Sequence, residues 1–246
     1  MNMLRWPYPH LIAHRGGGRF APENTAAALL AGSVFGYRMA EFDVKLSSDN
    51  IAFLLHDDTL DRTTNSCGPA ADWRWAELAT LDAGSGFDPR FADEPLPTLA
   101  DAARICLEHG IHANVEIKPC PGREVQTGKL VAQECLRRWG RATIPPLLSS
   151  FSADALSAAR EAAPPLNYAW LIEDTLPSDW LTTAQQLGVI ALDIDHTLVD
   201  ADLVTAIHDA GLALMCWTVD DPARAASLFR LGVDAICTDA LDALQP

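Results

Sequence analysis

Basic residues are scarce in this 246-residue chain: 18 Lys and Arg stand against 33 Asp and Glu, a formal charge of −15. That balance argues against a nucleic-acid backbone or an anionic membrane surface as the main partner. No stretch approaches the ~18 continuous apolar residues of a membrane span. The opening segment, Met1 to His10, lacks a basic start with an apolar run and a cleavage site, so no secretory leader is expected. The six cysteines, Cys67, Cys106, Cys120, Cys135, Cys216 and Cys237, contain no C-x-x-C pair and have no histidine cluster beside them. A zinc or redox centre is therefore not expected, and several of these thiols fall in apolar periodic segments where buried free cysteine is usual. A reduced, cytoplasmic protein without stable membrane association follows. An early G-x-G-x-x-G turn is also missing, which removes the fingerprint of an open dinucleotide-binding sheet.

What is present is ample core material, 49% hydrophobic residues, arranged in a regular rhythm. Strand-like apolar runs cover Leu11–His14, Met39–Val44, Ala113–Lys118, Leu147–Phe151, Tyr168–Ile172, Ile190–Asp195, Leu212–Val219 and Ala235–Thr238. Helix-like periodic segments lie between them: Glu23–Phe35, Leu99–His109, Val125–Trp139, Ala153–Ala163, Thr182–Leu187, Ala201–Asp209 and Pro222–Leu231. Alternating β and α segments imply a parallel sheet with right-handed crossovers, and eight strands in ~250 residues match a TIM (β/α)8 barrel. Pro22-Glu23-Asn24-Thr25 is expected to start the first helix, and Asp221-Pro222 a late one. Residues 58 to 97, rich in Gly, Pro and Trp, break the rhythm and read as an insertion after the second strand. Residues 1–246 are thus expected to form one domain.

Four polar signatures sit where apolar runs stop: His14-Arg15-Gly16, Glu41-Phe42-Asp43, His56-Asp57 and Glu116-Ile117-Lys118. Alternate residues of a strand share a face, so Glu41 and Asp43 point together, as do Glu116 and Lys118. Two acids at this spacing are often solvated surface charge. At the C-terminal ends of barrel strands, where active sites lie, an all-oxygen set of Glu41, Asp43 and Glu116 instead suits a hard cation, Mg2+ or Ca2+. His14 and His56, flanking those acids, suit acid–base work near neutral pH. The other five histidines lack that setting and are assigned no role. Arg15 offers a planar fork and Lys118 a point charge to phosphate. Gly16-Gly17-Gly18 would let the backbone approach an anion. Trp217 is either ordinary core or a platform for a substrate's carbon skeleton.

Asp193-Ile194-Asp195-His196-Thr197-Leu198 matches the D-x-D-x-T-L signature of haloacid-dehalogenase-type phosphatases. In that family the motif follows the first strand and a downstream Lys completes the site, whereas here no Lys follows Lys129. The motif is read as coincidence on an internal barrel strand. A barrel that only binds would have lost a key group, and none is missing.

Taken end to end, the chain resembles the glycerophosphodiester phosphodiesterase family. The resemblance runs through Ala13-His14-Arg15-Gly16, Pro22-Glu23-Asn24-Thr25, Glu41-Phe42-Asp43-Val44 and His56-Asp57 to Thr64. It continues in Leu96-Pro97-Thr98-Leu99, Glu116-Ile117-Lys118, Ser149-Ser150-Phe151-Ser152, Trp217-Thr218-Val219 and Gly232-Val233-Asp234 with Thr238-Asp239. Departures are small: Ser47 stands where Thr is commoner, and Ala240 follows Thr238-Asp239 where a Pro is often near. The resemblance implies a TIM-barrel hydrolase with Glu41, Asp43 and Glu116 as ligands of one divalent metal ion. It also implies His14 and His56 as the acid–base pair and Arg15 and Lys118 as phosphate holders. The implied substrates are small glycerophosphodiesters, such as glycerophosphocholine or glycerophosphoethanolamine, giving sn-glycerol 3-phosphate and an alcohol. Oligomeric state is not implied either way.

His14→Ala and His56→Ala are each expected to lower kcat by roughly 10²–10⁴-fold with folding intact. Asp193→Asn should leave turnover nearly unchanged. Steady-state kinetics checks this, and the reverse ranking would favour a phosphatase.

Overall fold

In the computed structural model, which describes residues 6–246, the chain closes into an eight-stranded parallel barrel wrapped by helices. Part of the opening segment, residues 1–5, lies outside the described residues. The strands are β1 (Leu11–Ala13), β2 (Met39–Leu46), β3 (Ala52–Leu54), β4 (His112–Ile117), β5 (Leu147–Ser150), β6 (Asn167–Ile172), β7 (Ala191–Asp195), β8 (Ala213–Trp217) and β9 (Ala235–Thr238). All but β3 belong to the barrel, and pairing of β1 with both β2 and β9 closes it. The helices are α1 (Ala26–Val34), α2 (Trp75–Leu78), α3 (Leu99–His109), α4 (Glu124–Trp139), α5 (Ala153–Ala162), α6 (Trp180–Leu187), α7 (Ala201–Asp209) and α8 (Pro222–Leu231). No described helix is long and apolar enough to cross a membrane.

Strand alternation divides the side chains into two sets. Phe42, Val44, Val115, Leu192, Ile194 and Leu214 point outward into the layer shared with the helices. Ile12, Met39, Leu147, Ala169, Ala191, Ala213, Met215 and Ala235 point inward and fill the lower barrel. Above that apolar plug the inward positions turn polar. Glu41, Asp43, Asn114, Glu116, Ser149 and Asp193 are all buried there. Strand geometry thus converts a period of two in the sequence into a polar well above a closed floor.

Three expectations need correction. The first helix does not begin at Glu23: α1 starts at Ala26, capped by the Thr25 side chain, which accepts from the Ala28 N–H. Asn24 has φ +59, a left-handed conformation that no helical turn can contain. The second strand does not stop at Val44. It runs on to Leu46 and folds back as antiparallel β3, so Glu41 and Asp43 sit within the strand rather than at its tip. The insertion is not wholly irregular either. Leu60, Ala70, Leu78, Ala83 and Leu96 pack with Phe53 and Leu55, on and just after β3, in a small separate core around α2. Late elements match: Asp221 caps α8 with Pro222 in its first turn, and Gly232 ends it at φ +106. Five of the six cysteines are buried free thiols, and Cys67 is exposed.

Helix α1 reaches the loop after β1 because position 32 is glycine. A Cβ on Gly32 would lie 2.3 Å from the Gly16 carbonyl oxygen, which is backbone and cannot swing away. Alanine would gain up to ~1 kcal/mol in helix propensity. Overpacking of this kind costs about 1–3 kcal/mol, and the displaced turn carries His14 and Arg15. Gly32→Ala is therefore expected to lower both thermal stability and kcat/KM; calorimetry and kinetics on the purified variant measure the two.

Candidate active site

All eight residues singled out from the sequence line one cavity of about 380 Å³ at the C-terminal mouth of the barrel. Strands β2 and β4 supply Glu41, Asp43 and Glu116. The loops after β1, β3 and β4 supply His14 with Arg15, His56, and Lys118. Trp217 ends β8, edge-on to Phe151 at 5.5 Å, with its Nε1 donating to the Asp193 carbonyl at 3.3 Å. The glycine run after Arg15 does not line the cavity. Gly16 and Gly18 adopt positive φ and pack against α1 and Asp239, so they shape the loop rather than contact an anion.

The carboxylates are held by groups of quite different origin. Glu41 Oε2 accepts the Arg15 backbone N–H at 2.9 Å, which Arg15 presents by adopting φ +48. Asp43 is gripped twice by Asn24: its Oδ2 accepts from the side-chain amide at 2.8 Å, and its own N–H donates back at 2.9 Å. Lys118 Nζ lies 3.1 Å from Glu116 Oε1 and 3.5 Å from Asp43 Oδ1. Burial pushes Glu41 well above the ordinary carboxylate range, reinforced by Asp43 and Glu116. Burial and Asp43 likewise push Glu116 up to about 7. Asp43 moves the other way. Burial would raise it, but Lys118, His56, Arg15 and the Asn24 amide together hold it below its usual value.

Each imidazole is anchored through Nδ1. His14 Nδ1 pairs with Asp239 Oδ1 at 2.7 Å, leaving Nε2 on the cavity side, 4.0 Å from Glu41. His56 Nδ1 pairs with Asp57 Oδ1 at 2.7 Å, and its Nε2 meets Lys118 Nζ at 2.8 Å. Burial, with help from Lys118 and Arg15, holds His56 below the ordinary histidine range despite the opposing pull of Asp43. A neutral His56 turns its Nε2 lone pair to the Lys118 ammonium, itself a lining group of the cavity.

Oxygens of Glu41, Asp43 and Glu116 all come within 4.8 Å of one another. Among the described residues, Glu41 Oε1 is buried with no hydrogen-bond partner, and Glu116 Oε1 has only the Lys118 ammonium, at 3.1 Å. A buried, unpartnered oxygen within an all-carboxylate cluster is what a hard cation would satisfy, so the residues fit such an ion.

Several contributors carried no role in the sequence reading. Asn24 and Asp239 lie inside motifs quoted above, but a motif does not tell which side chain orients which. Lys45 is almost fully buried. Its ammonium bonds Asp58 Oδ1 at 2.7 Å and the Lys118 carbonyl at 3.3 Å, fixing the strand end that carries Lys118. Glu23 bridges Arg15 to Arg62 of the insertion.

Fold and site together define an acid-centred (β/α)8 enzyme, with imidazoles and cations gathered over three barrel carboxylates. The profile of the glycerophosphoryl diester phosphodiesterase family matches residues 14–243. The chain belongs to that family, whose enzymes hydrolyse glycerophosphodiesters. It is 33% identical over 241 residues to YhdW of Bacillus subtilis, across 95% of each chain. It is 31% identical over 233 residues to the glycerophosphodiester phosphodiesterase of Caldanaerobacter subterraneus subsp. tengcongensis, across 93% of each. Among solved structures, an Oleispira antarctica phosphodiesterase in complex with the product sn-glycerol-3-phosphate superposes with a TM-score of 0.88 and 34% identity. It covers 95% of this chain and 94% of its own.

Partners that orient metal-binding carboxylates typically contribute 10–100-fold to metal affinity. Asn24→Gly deletes both contacts to Asp43 while keeping a residue suited to φ +59. Calorimetric titration with Mg2+ or Ca2+ should show affinity weakened by about that factor, with the fold retained.

Proposed function

We propose that residues 1–246 form one domain that hydrolyses small glycerophosphodiesters, glycerophosphocholine or glycerophosphoethanolamine among them, to sn-glycerol 3-phosphate and the free alcohol. The observation that carries this reading is the cluster of three buried carboxylates, with Glu41 Oε1 left unpartnered, set between two anchored imidazoles. Glu41, Asp43 and Glu116 would hold one divalent cation, Mg2+ or Ca2+. When bound, that ion supplies Lewis-acid polarisation of a phosphoryl oxygen and offsets the phosphate's charge.

The chain's own groups do the rest. Arg15 and Lys118 hold the phosphate and stabilise the charge that builds on its oxygens. One histidine takes the proton of the attacking hydroxyl, and the other gives a proton to the departing alkoxide. The P–O bond to the alcohol breaks as the new one forms. Asp239 and Asp57 hold the two rings by Nδ1 so that each Nε2 serves the cavity. The attacking hydroxyl is either the glycerol hydroxyl next to the phosphate, which closes a cyclic ester that water then opens, or water itself. Trp217 and Phe151 form an aromatic wall against which the substrate's carbon skeleton packs. Six free cysteines suit a reducing cytoplasm.

Exhaustive chelation should abolish hydrolysis of glycerophosphocholine, and Mg2+ or Ca2+ should restore it. Coupling to glycerol 3-phosphate dehydrogenase reads the product directly, and no inorganic phosphate should accumulate. Full activity in protein shown by elemental analysis to be free of metal would overturn the metal assignment.

A further inference from the structure

Asp193 is the buried acid that the mechanism above leaves unused. It stands on β7 between Leu192 and Ile194, both of which point out to the helices, so its carboxyl points into the barrel well. Its side chain is 2% exposed, and among the described residues Oδ1 has no hydrogen-bond partner. Two donors lining the same well are engaged elsewhere. Ser149 Oγ donates to Asn114 Oδ1 at 2.9 Å, and Trp217 Nε1 goes to the backbone carbonyl of Asp193 rather than its carboxyl. Nor does Asp193 join the metal cluster, which consists of Glu41, Asp43 and Glu116. A buried, unpaired carboxyl is costly, and one aimed into a cavity is explained when a ligand group completes it.

We infer that Asp193 is a specificity-determining residue that hydrogen-bonds the terminal, unesterified hydroxyl of the substrate's glycerol. This rests on the glycerophosphodiester reading above. The phosphate is anchored at the rim by Arg15 and Lys118, and Asp193 lies below it, on the wall roofed by Trp217. A three-carbon polyol hanging from the phosphate into this well presents its far hydroxyl to the floor. The unpartnered Oδ1 of Asp193 is free to accept the O–H of that hydroxyl. The closed apolar plug beneath leaves no path for a longer substituent at that hydroxyl, so acylated substrates are disfavoured by the same contact.

The test compares glycerophosphoethanolamine with an analogue in which propane-1,2-diol replaces glycerol. The analogue keeps the hydroxyl next to the phosphate and lacks the terminal one. The metal-supplemented wild-type protein should favour the glycerol substrate by roughly 10²-fold in kcat/KM, since loss of the hydroxyl leaves a buried partner unpaired. Asp193→Leu should bring the glycerol substrate down to the level of the analogue while leaving the analogue's rate little changed. Asp193→Asn, which keeps an accepting oxygen on a side chain of the same shape, should keep most of the preference. A wild-type enzyme indifferent to the missing hydroxyl would overturn the inference, as would a Leu variant that slows both substrates equally. Should Asp193→Leu fail to fold, Asp193→Ala serves in its place. Calorimetric binding of sn-glycerol 3-phosphate against propane-1,2-diol 1-phosphate makes the same comparison without turnover. Selective binding with no hydrolysis of either diester would sink the catalytic reading and leave this subsite standing. Equal binding would sink the subsite.

Discussion

Crowding of like charge at the centre of the barrel is the constraint that the surrounding structure answers. Glu41, Asp43 and Glu116 bring carboxylate oxygens within 4.8 Å of one another in a buried well. At an effective dielectric constant near 20, unit charges at that spacing repel by roughly 3 kcal/mol or more. Three responses are built in. Lys118 and Arg15 bring positive charge to Asp43. Asn24 and the Arg15 N–H bring neutral donors. Glu41 and Glu116 hold protons more tightly than ordinary carboxylates do. A divalent ion would displace those protons and collect the unpartnered Glu41 oxygen. The unusual backbone at Arg15 and Asn24, both at positive φ, serves this same need: it aims an N–H and an amide at the acids from the connection between β1 and α1.

The barrel was legible because its strands are apolar on both faces except where chemistry intrudes. Val, Ile, Leu and Ala runs at regular spacing mark the eight strands, and a Glu, Asp or His within or just beyond such a run stands out against them. That contrast is why His14, Glu41, Asp43, His56, Glu116, Lys118 and even Trp217 could be placed at one mouth. What escaped depends on contacts that sequence spacing does not encode. Asp239 meets His14 across 225 positions, only because β9 closes the barrel beside β1. Asn24 sits in a stretch whose proline and acid imitate a helix start, and only the φ of +59 shows that its side chain is spent on Asp43. Nothing in the sequence marks Lys45, after Val44, as buried. The return of β3 buries it. Asp193 was set aside because its motif belongs to another family's chemistry. Its burial and unmatched oxygen are visible only in three dimensions.

The insertion after β3 shows how a segment outside the barrel enters the site. Its Arg62 forks onto two acids at once, Glu23 at 2.6 and 2.8 Å and Asp57 at 2.7 and 2.9 Å. Those contacts hold the guanidinium firmly charged and draw Asp57 far below the usual carboxylate range. Glu23 in turn bonds Arg15, next to His14, while Asp57 bonds His56. The two imidazoles, carried by separate loops, are thereby tied into one frame through alternating charges. Arg62 is about half exposed, at 46%, so screening leaves each pair with little stabilising energy of its own. Its value lies in geometry: bidentate contacts on both sides fix the rotation of Asp57, and Asp57 fixes which nitrogen of His56 faces the cavity. The small apolar core of the insertion, closed by Leu60, Leu78 and Leu96, keeps Arg62 where that frame requires it. Packing remote from the substrate thus sets the orientation of a ring that faces it.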